Sequence, residues 1–434
     1  MRALARSRTL GPTMRRVGPW YRQLHWQIFI AMALGAATGA IGGETVVPAV
    51  GWLGTLFIRL LKMIIVPLII FSIISGVSSV AESGRLGRLF GKTFGYYILS
   101  SLLAILTGLV LVNLIRPGKG ANLVDVAASE LPPLETPSSV LDVVNQIIPE
   151  NVVAALAKPD MLSVIFFCIL FGAAIAALPE SPRRAIAGFF DAGFQAMMKL
   201  TGWIIALAPL GVFGLITRMV GTTGFASFKA LGLYMLTIAL GLLVHMFVIL
   251  PLLLILLGRI NPRVHFRNML EPLAVAFSTA SSGATLPVTL RTVEEKVGVS
   301  NRISSFVLPM GATVNMDGTA LYECAGVLFI SQVLGFDLGI QQQMVVVLTA
   351  LLASIGAAAV PSAGLVIIFL VLESVGLRGP EVNAIVGAML AIDRPLDMFR
   401  TSVNVFSDSC GAAIIARSEG EDGVDAEVRA VPVA

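Results

Sequence analysis

Charge is what this chain has least of. Asp, Glu, Lys and Arg make up 13% of its 434 residues, about half the share of an ordinary soluble domain. Hydrophobic residues fill 56%, which points away from a water-soluble fold and towards an integral membrane protein in contact with lipid. The three cysteines, Cys168, Cys324 and Cys410, lie in apolar runs without metal-ligand spacing, so a disulfide framework is not expected. The three histidines, His25, His245 and His265, are scattered, and each reads as structural or interfacial rather than as a ligand. No HExxH, nucleophile elbow or phosphate loop occurs, so an enzyme is not expected. A formal charge of +4 gives no footprint for nucleic acid.

Basic residues mark the inner ends of membrane spans. Residues Met1 to Arg22 carry six arginines and no acid, followed by an apolar run from about Ile28 to Gly42. This reads as a first span with a cytoplasmic N-terminus rather than a cleaved signal. Further spans follow at about Leu53 to Val80 and from near Phe94. An acidic, Pro-rich external loop precedes a fourth apolar region ending near Leu178. A fifth, Phe189 to Ile216, breaks at Pro209, and a sixth runs from Ala230 to Leu257 before Arg259, Arg263 and Arg267.

Alternation then fails. Met269 to Leu290 is long enough to span, yet Arg291, Lys296 and Arg302 beyond it also belong inside. Its centre, STASSGATLP, favours a turn, so we read a re-entrant helical hairpin. A seventh span, Phe306 to Val333, precedes a second interrupted stretch, Met344 to Leu372, broken at ASIGAAAVPSAG. If that stretch crosses, the tail ends outside; if it re-enters, the tail is cytoplasmic. Symmetry favours the second reading: two broken hairpins, each followed by a polar-striped helix, form an inverted repeat with binding sites near the midplane. The expected fold is an all-α polytopic membrane protein of eight transmembrane helices plus two re-entrant hairpins.

The final helix carries the sharpest signal. In AIDRPLDMFRTSVNVFSDSCGAAIIAR, residues 391–417, Asp393, Asp397, Arg400, Asn404 and Asp408 share one stripe of an otherwise apolar helix. Charge at membrane depth is costly unless it faces a cavity and has partners. Arg400 is a five-donor fork suited to a carboxylate, and Asp397, one turn away, would pair with an ammonium. Together they describe glutamate or aspartate. In GATVNMDGTALYE, Asn315 and Asp317 sit beside Gly311 and Gly318, where unwound carbonyls and side-chain oxygens would make a hard cage for an alkali cation. Burial disfavours a charged carboxyl, so Glu323 reads either as a proton carrier or as a salt-bridged structural glutamate.

The motifs SSGATLPVT, NMDGTALYE, ASIGAAAVPSAG and DMFRTSVNVFSD, in this order, resemble the signatures of the glutamate transporter family. These are the dicarboxylate/amino acid:cation symporters, which include the excitatory amino-acid transporters and prokaryotic glutamate/aspartate symporters. The similarity covers nearly the whole chain. It implies a homotrimer in the cell (inner) membrane whose transport domain slides like an elevator, carrying substrate with sodium and, through Glu323, a proton. Implied substrate contacts are Ser281, Ser282, Thr319, Val360, Gly364, Asp397, Arg400, Thr401 and Asn404. Implied sodium ligands are Gly311, Asn315, Asn404 and Asp408 for one ion, and Thr313, Met316, Ser354, Ile355 and Ala357 for a second. Tyr97, Ser100, Ser101, Asn315 and Asp317 are implied for a third.

Ala280 and Met398 stand where family branches carry an additional arginine, and Arg394 is the candidate replacement. Potassium counter-transport is therefore not implied. The expected organisation is a cytoplasmic segment 1–22, a six-helix region 23–265, a transport core 266–417 and a cytoplasmic tail 418–434. Competing expectations are a proton-coupled carrier, a neutral amino-acid carrier, which Arg400 argues against, a C4-dicarboxylate carrier, which Asp397 argues against, and an ion channel.

Overall fold

A computed structural model describes residues 24–80, 87–121, 123, 148–157, 161–224, 226–355 and 363–425. The arginine-rich start, most of the acidic loop and the tip of the second hairpin lie outside them. Among the described residues every regular element is helical. Helices α1 (Leu24–Gly42), α2 (Val47–Val80) and α3 (Gly87–Ile115) are followed by α4 (Val152–Ala157), α5 (Met161–Ala176), α6 (Glu180–Ala206) and α7 (Ala208–Thr223). Helix α1 lies against α7 closely enough that a Cβ on Gly39 would stand 2.7 Å from the Thr217 carbonyl oxygen. Small residues permit such backbone approach in membrane bundles.

Helix α8 (Ala226–Val244) continues through two π segments, His245–Ile249 and Leu254–Gly258, separated by Leu250–Leu253. Then come α9 (Pro262–Thr279), α10 (Ser282–Thr292), α11 (Asn301–Val314), α12 (Asp317–Val333), α13 (Ile340–Ile355), α14 (Ala363–Ser374) and α15 (Pro380–Ser418). Helices α9 and α10 pack on each other and on α15, forming the first hairpin. Ala280 turns its tip in the left-handed region at φ 49°. Ser281 then caps α10 by accepting from the Ala284 amide at 3.2 Å, as an N-cap should. Helices α13 and α14 pair likewise.

Four described helical stretches are long and apolar enough to cross a membrane, and five are if α6 and α7, bent by 47°, count as one span. The expected count of eight is not reached by length and composition, for a physical reason. The seventh expected span is divided into α11 and α12, of 14 and 17 residues, and a span needs about 20. The fifth breaks at Leu207, two residues before Pro209, and starts at Glu180, earlier than its apolar run suggests. Lys62, inside α2, faces another helix, its Nζ 4.6 Å from the Phe369 ring centroid.

Beyond α15 the chain folds back as a strap. Glu419 accepts from Arg88 at 2.8 Å and Lys92 at 2.6 Å. Glu421 accepts from the amide of Ser300 at 2.9 Å and also bonds its hydroxyl. Asp425 donates its amide to the Val297 carbonyl at 2.7 Å and bonds His265 Nδ1 at 2.7 Å. His265 is buried, and its other ring nitrogen meets Ser409 Oγ at 3.0 Å. The lower end of the first hairpin is thus tied to α3 and α15.

Candidate substrate and cation site

Two interruptions converge on one face of α15. The break between α11 and α12 places Asn315 and Met316 in non-helical conformations. Met316 is buried at the start of α12, and Gly318 crosses α15 so closely that a Cβ there would meet the Arg400 carbonyl oxygen at 2.9 Å. Only glycine permits this approach. At the start of α14, a Cβ on Gly364 would stand 3.0 Å from Arg400 Nη1 and 3.3 Å from Thr319 Cγ2.

The charged stripe of α15 is buried and self-paired. Arg400 is 1% exposed. Its Nη2 donates to Asp393 Oδ1 at 2.9 Å and Asp397 Oδ1 at 3.1 Å. Its carbon Cζ lies 3.8 Å from the Tyr322 ring centroid, a cation held on an aromatic face. Its Nε and Nη1 are buried and have no hydrogen-bond partner. A buried N-H left unpaired costs about 1–3 kcal/mol, so these two donors mark where an acceptor belongs. Arg394 Nη1 reaches Asp397 Oδ2 at 3.3 Å. Thr401 bonds back to the Asp397 carbonyl at 2.8 Å, and Asn404 accepts from the Gly318 amide at 2.8 Å and donates to Thr319 at 3.4 Å.

An oxygen-rich cluster lies alongside. Asp317 Oδ1 accepts from Ser101 at 2.7 Å and Ser100 at 3.2 Å, and Oδ2 from Ser407 at 2.7 Å. His245 Nε2 bonds the same Oδ2 at 2.9 Å. Asn315 donates to Asp408 at 2.9 Å and Ser407 at 3.0 Å, and accepts from Ser100 at 3.1 Å. A Cβ on Gly311 would meet Asp408 Oδ1 at 2.5 Å and the Tyr97 hydroxyl at 2.6 Å. Tyr97 itself donates to the Val307 carbonyl at 2.8 Å. Carboxylate, amide, hydroxyl and carbonyl oxygens are the donor set of a hard cation.

Not every anticipated residue joins these two clusters. Ser281 and Ser282 sit at the first hairpin tip, where the Ser281 side chain caps α10 and Ser282 is buried. Thr313 and Ser354 donate to their own helices, to Met310 at 3.0 Å and Leu351 at 2.8 Å. Ile355 is buried at the end of α13. Ala357 and Val360 lie outside the described residues. Both carboxylate oxygens of Glu323 are buried without a partner, which does not support the salt-bridged reading.

His245, expected to be structural, bonds Asp317 in the oxygen cluster from the π segment that widens α8. The available signal was an ionisable residue in an apolar span, which marks function by default. Asp393 and Ser407 join the clusters as well. The stripe on α15 contains the first and is one residue from the second.

A compensated set of buried charges on interrupted helices inside a membrane bundle defines a solute transporter rather than an enzyme. The chain belongs to the sodium:dicarboxylate symporter family, which it matches over residues 24–418. It is 37% identical over 415 residues to excitatory amino acid transporter 3 of Homo sapiens, covering 84% of this chain and 78% of that protein. It is 35% identical over 416 residues to the proton/sodium-glutamate symport protein of Geobacillus stearothermophilus, covering 94% of this chain and 96% of that protein. It is 33% identical over 411 residues to the proton/glutamate-aspartate symporter of Escherichia coli (strain K12), covering 91% of this chain and 93% of that protein.

Proposed function

We propose that this protein is a cation-coupled symporter of L-glutamate and L-aspartate. The observation that carries the reading is Arg400: a fully buried guanidinium with two unpartnered nitrogens, next to Gly364 and Thr319 and one turn from Asp397. Those donors suit the side-chain carboxylate of an acidic amino acid. Asp397 suits its ammonium, and Asn404, Thr401 and the two hairpin tips would close around the remainder.

Sodium ions are substrates in this reading. The cluster of Tyr97, Ser100, Ser101, Asn315 and Asp317 would hold one, and Gly311, Asn315, Asn404 and Asp408 another. A third would take Thr313, Met316, Ser354, Ile355 and Ala357 as its ligands. Several cations are needed energetically. A concentration ratio of 10⁴ requires about 5.5 kcal/mol, whereas one charge crossing 100 mV supplies about 2.3. Glu323, with neither oxygen partnered, is costly as an anion and would carry a proton alongside.

The architecture that goes with this function is a homotrimer in the cell membrane with both termini cytoplasmic. In it the hairpins and α15 move as one body against α1, α2 and α7. Uptake of labelled aspartate, glutamate and succinate into vesicles, with each ion gradient imposed separately, tests it. Aspartate and glutamate should accumulate with inward sodium; flux indifferent to that gradient would remove the sodium part.

A further inference from the structure

Asp397 has two guanidiniums upon it. Arg400 Nη2 holds Oδ1 at 3.1 Å, and Arg394 Nη1 approaches Oδ2 at 3.3 Å. Oδ2 is therefore already met by a cation in this arrangement, although in the proposed function Asp397 is the group that receives the substrate's ammonium. Two cations do not share one carboxylate oxygen at close range without repelling each other, and inside the protein that repulsion is poorly screened. An arriving ammonium and Arg394 must compete.

Arg394 has a second place to go. Its side chain lines a small cavity between α15 and the peripheral helices, walled by Ile28, Phe57, Leu61 and Leu390. Asp393 lines the same cavity, and its Oδ2 is buried without a partner, as is Arg394 Nε. A guanidinium that leaves Asp397 finds an unsatisfied carboxylate oxygen one residue away along the chain. Both arrangements keep two cations opposite two anions.

We propose that Arg394 is a specificity-determining residue that stands in for the substrate's amine at Asp397 and yields to it, moving towards Asp393, when an amino dicarboxylate binds. The inference rests on the proposed function and adds a consequence for selectivity. Displacing Arg394 weakens the binding of every ligand that brings an ammonium. A dicarboxylate without an amine leaves Arg394 where it is, and the charge of Asp397, which would repel such a ligand, stays neutralised. Arg394 therefore narrows the gap between aspartate and succinate.

The test is equilibrium binding of L-aspartate and of succinate to the purified full chain at saturating sodium, comparing the unmodified protein with Arg394→Gln and Arg394→Met. Both replacements remove the charge and keep much of the bulk, and running both prevents a folding defect peculiar to one from hiding the result. The expected result is tighter aspartate, weaker succinate and a rise of at least about tenfold in the ratio of their dissociation constants. Arg394→Lys should stay near the unmodified ratio. A ratio unchanged in both neutral variants, with the two affinities falling together, would assign Arg394 a purely structural role and overturn the proposal. Unmodified protein that binds neither aspartate nor glutamate would instead overturn the function on which it rests, so the two failures are distinguishable.

Discussion

His245 and Asp317 meet at 2.9 Å with neither side chain exposed. They come from elements 72 residues apart, α8 where it widens into a π segment and α12 where it begins after the break. The contact holds the Asp317 carboxylate by Oδ2 and leaves Oδ1 towards Ser100 and Ser101.

A hydrogen bond to a charged group contributes about 1.5–3 kcal/mol. His245→Ala should therefore weaken sodium binding by about tenfold or more and lower the melting temperature. His245→Gln, which restores an N-H donor, should recover part of both. Sodium titration of aspartate binding, with thermal unfolding in parallel, reads the outcome.

Truncating one partner of a buried charge pair costs about 2–5 kcal/mol. Arg400→Cys should therefore lower aspartate affinity by a factor of at least about 30, and uptake of serine or alanine is expected to emerge. Unchanged aspartate affinity would remove Arg400 from its assigned role.

Gly311→Ala should impair ion coupling before it impairs folding, because the added methyl meets Asp408 Oδ1 and the Tyr97 hydroxyl, both side-chain atoms. Gly318→Ala should do worse, since its methyl meets the backbone of Arg400. Expression yield and sodium dependence, measured for both, should rank them in that order.

Much of this was readable from the residues alone. The turn in STASSGATLP, the weakness of the helix around Asn315 and the stripe on α15 follow from glycine, proline and helical periodicity, which are local properties. What the sequence withheld was pairing. Helical spacing puts Asp393, Asp397 and Arg400 on one face, but not which aspartate each guanidinium chooses, nor that Arg394 turns to the same carboxylate. His245 was hidden for a related reason: its partner lies on a helix that only the packing brings near. The acidic tail read only as a cytoplasmic segment, because nothing in its composition names Val297, Ser300 or His265 as neighbours.

Glu419 gives a pH expectation. Hydrogen bonds from Lys92 and Arg88 hold its carboxyl below the usual glutamate range. A depressed folded value means that the group's contribution is complete above the unfolded value, about 4.3, and fades as pH falls through the lower folded one. Hydrogen exchange at residues 419–425 should be insensitive to pH between 6 and 8 after correction for intrinsic rates, and should accelerate only below about 4. Glu419→Gln should weaken that acid step.

Shortening the chain at Ser418 would be no trimming of a loose end. It would strip the buried imidazole of His265 of its Asp425 partner, unseat the Asn268 amide from the same carboxylate, and take the Glu421 acceptor from the Ser300 amide. Carboxy-terminal fusions should therefore begin after Asp425, and a protease that nicks before it should loosen the base of α9 and α10 while the distant carboxylate pocket stays assembled.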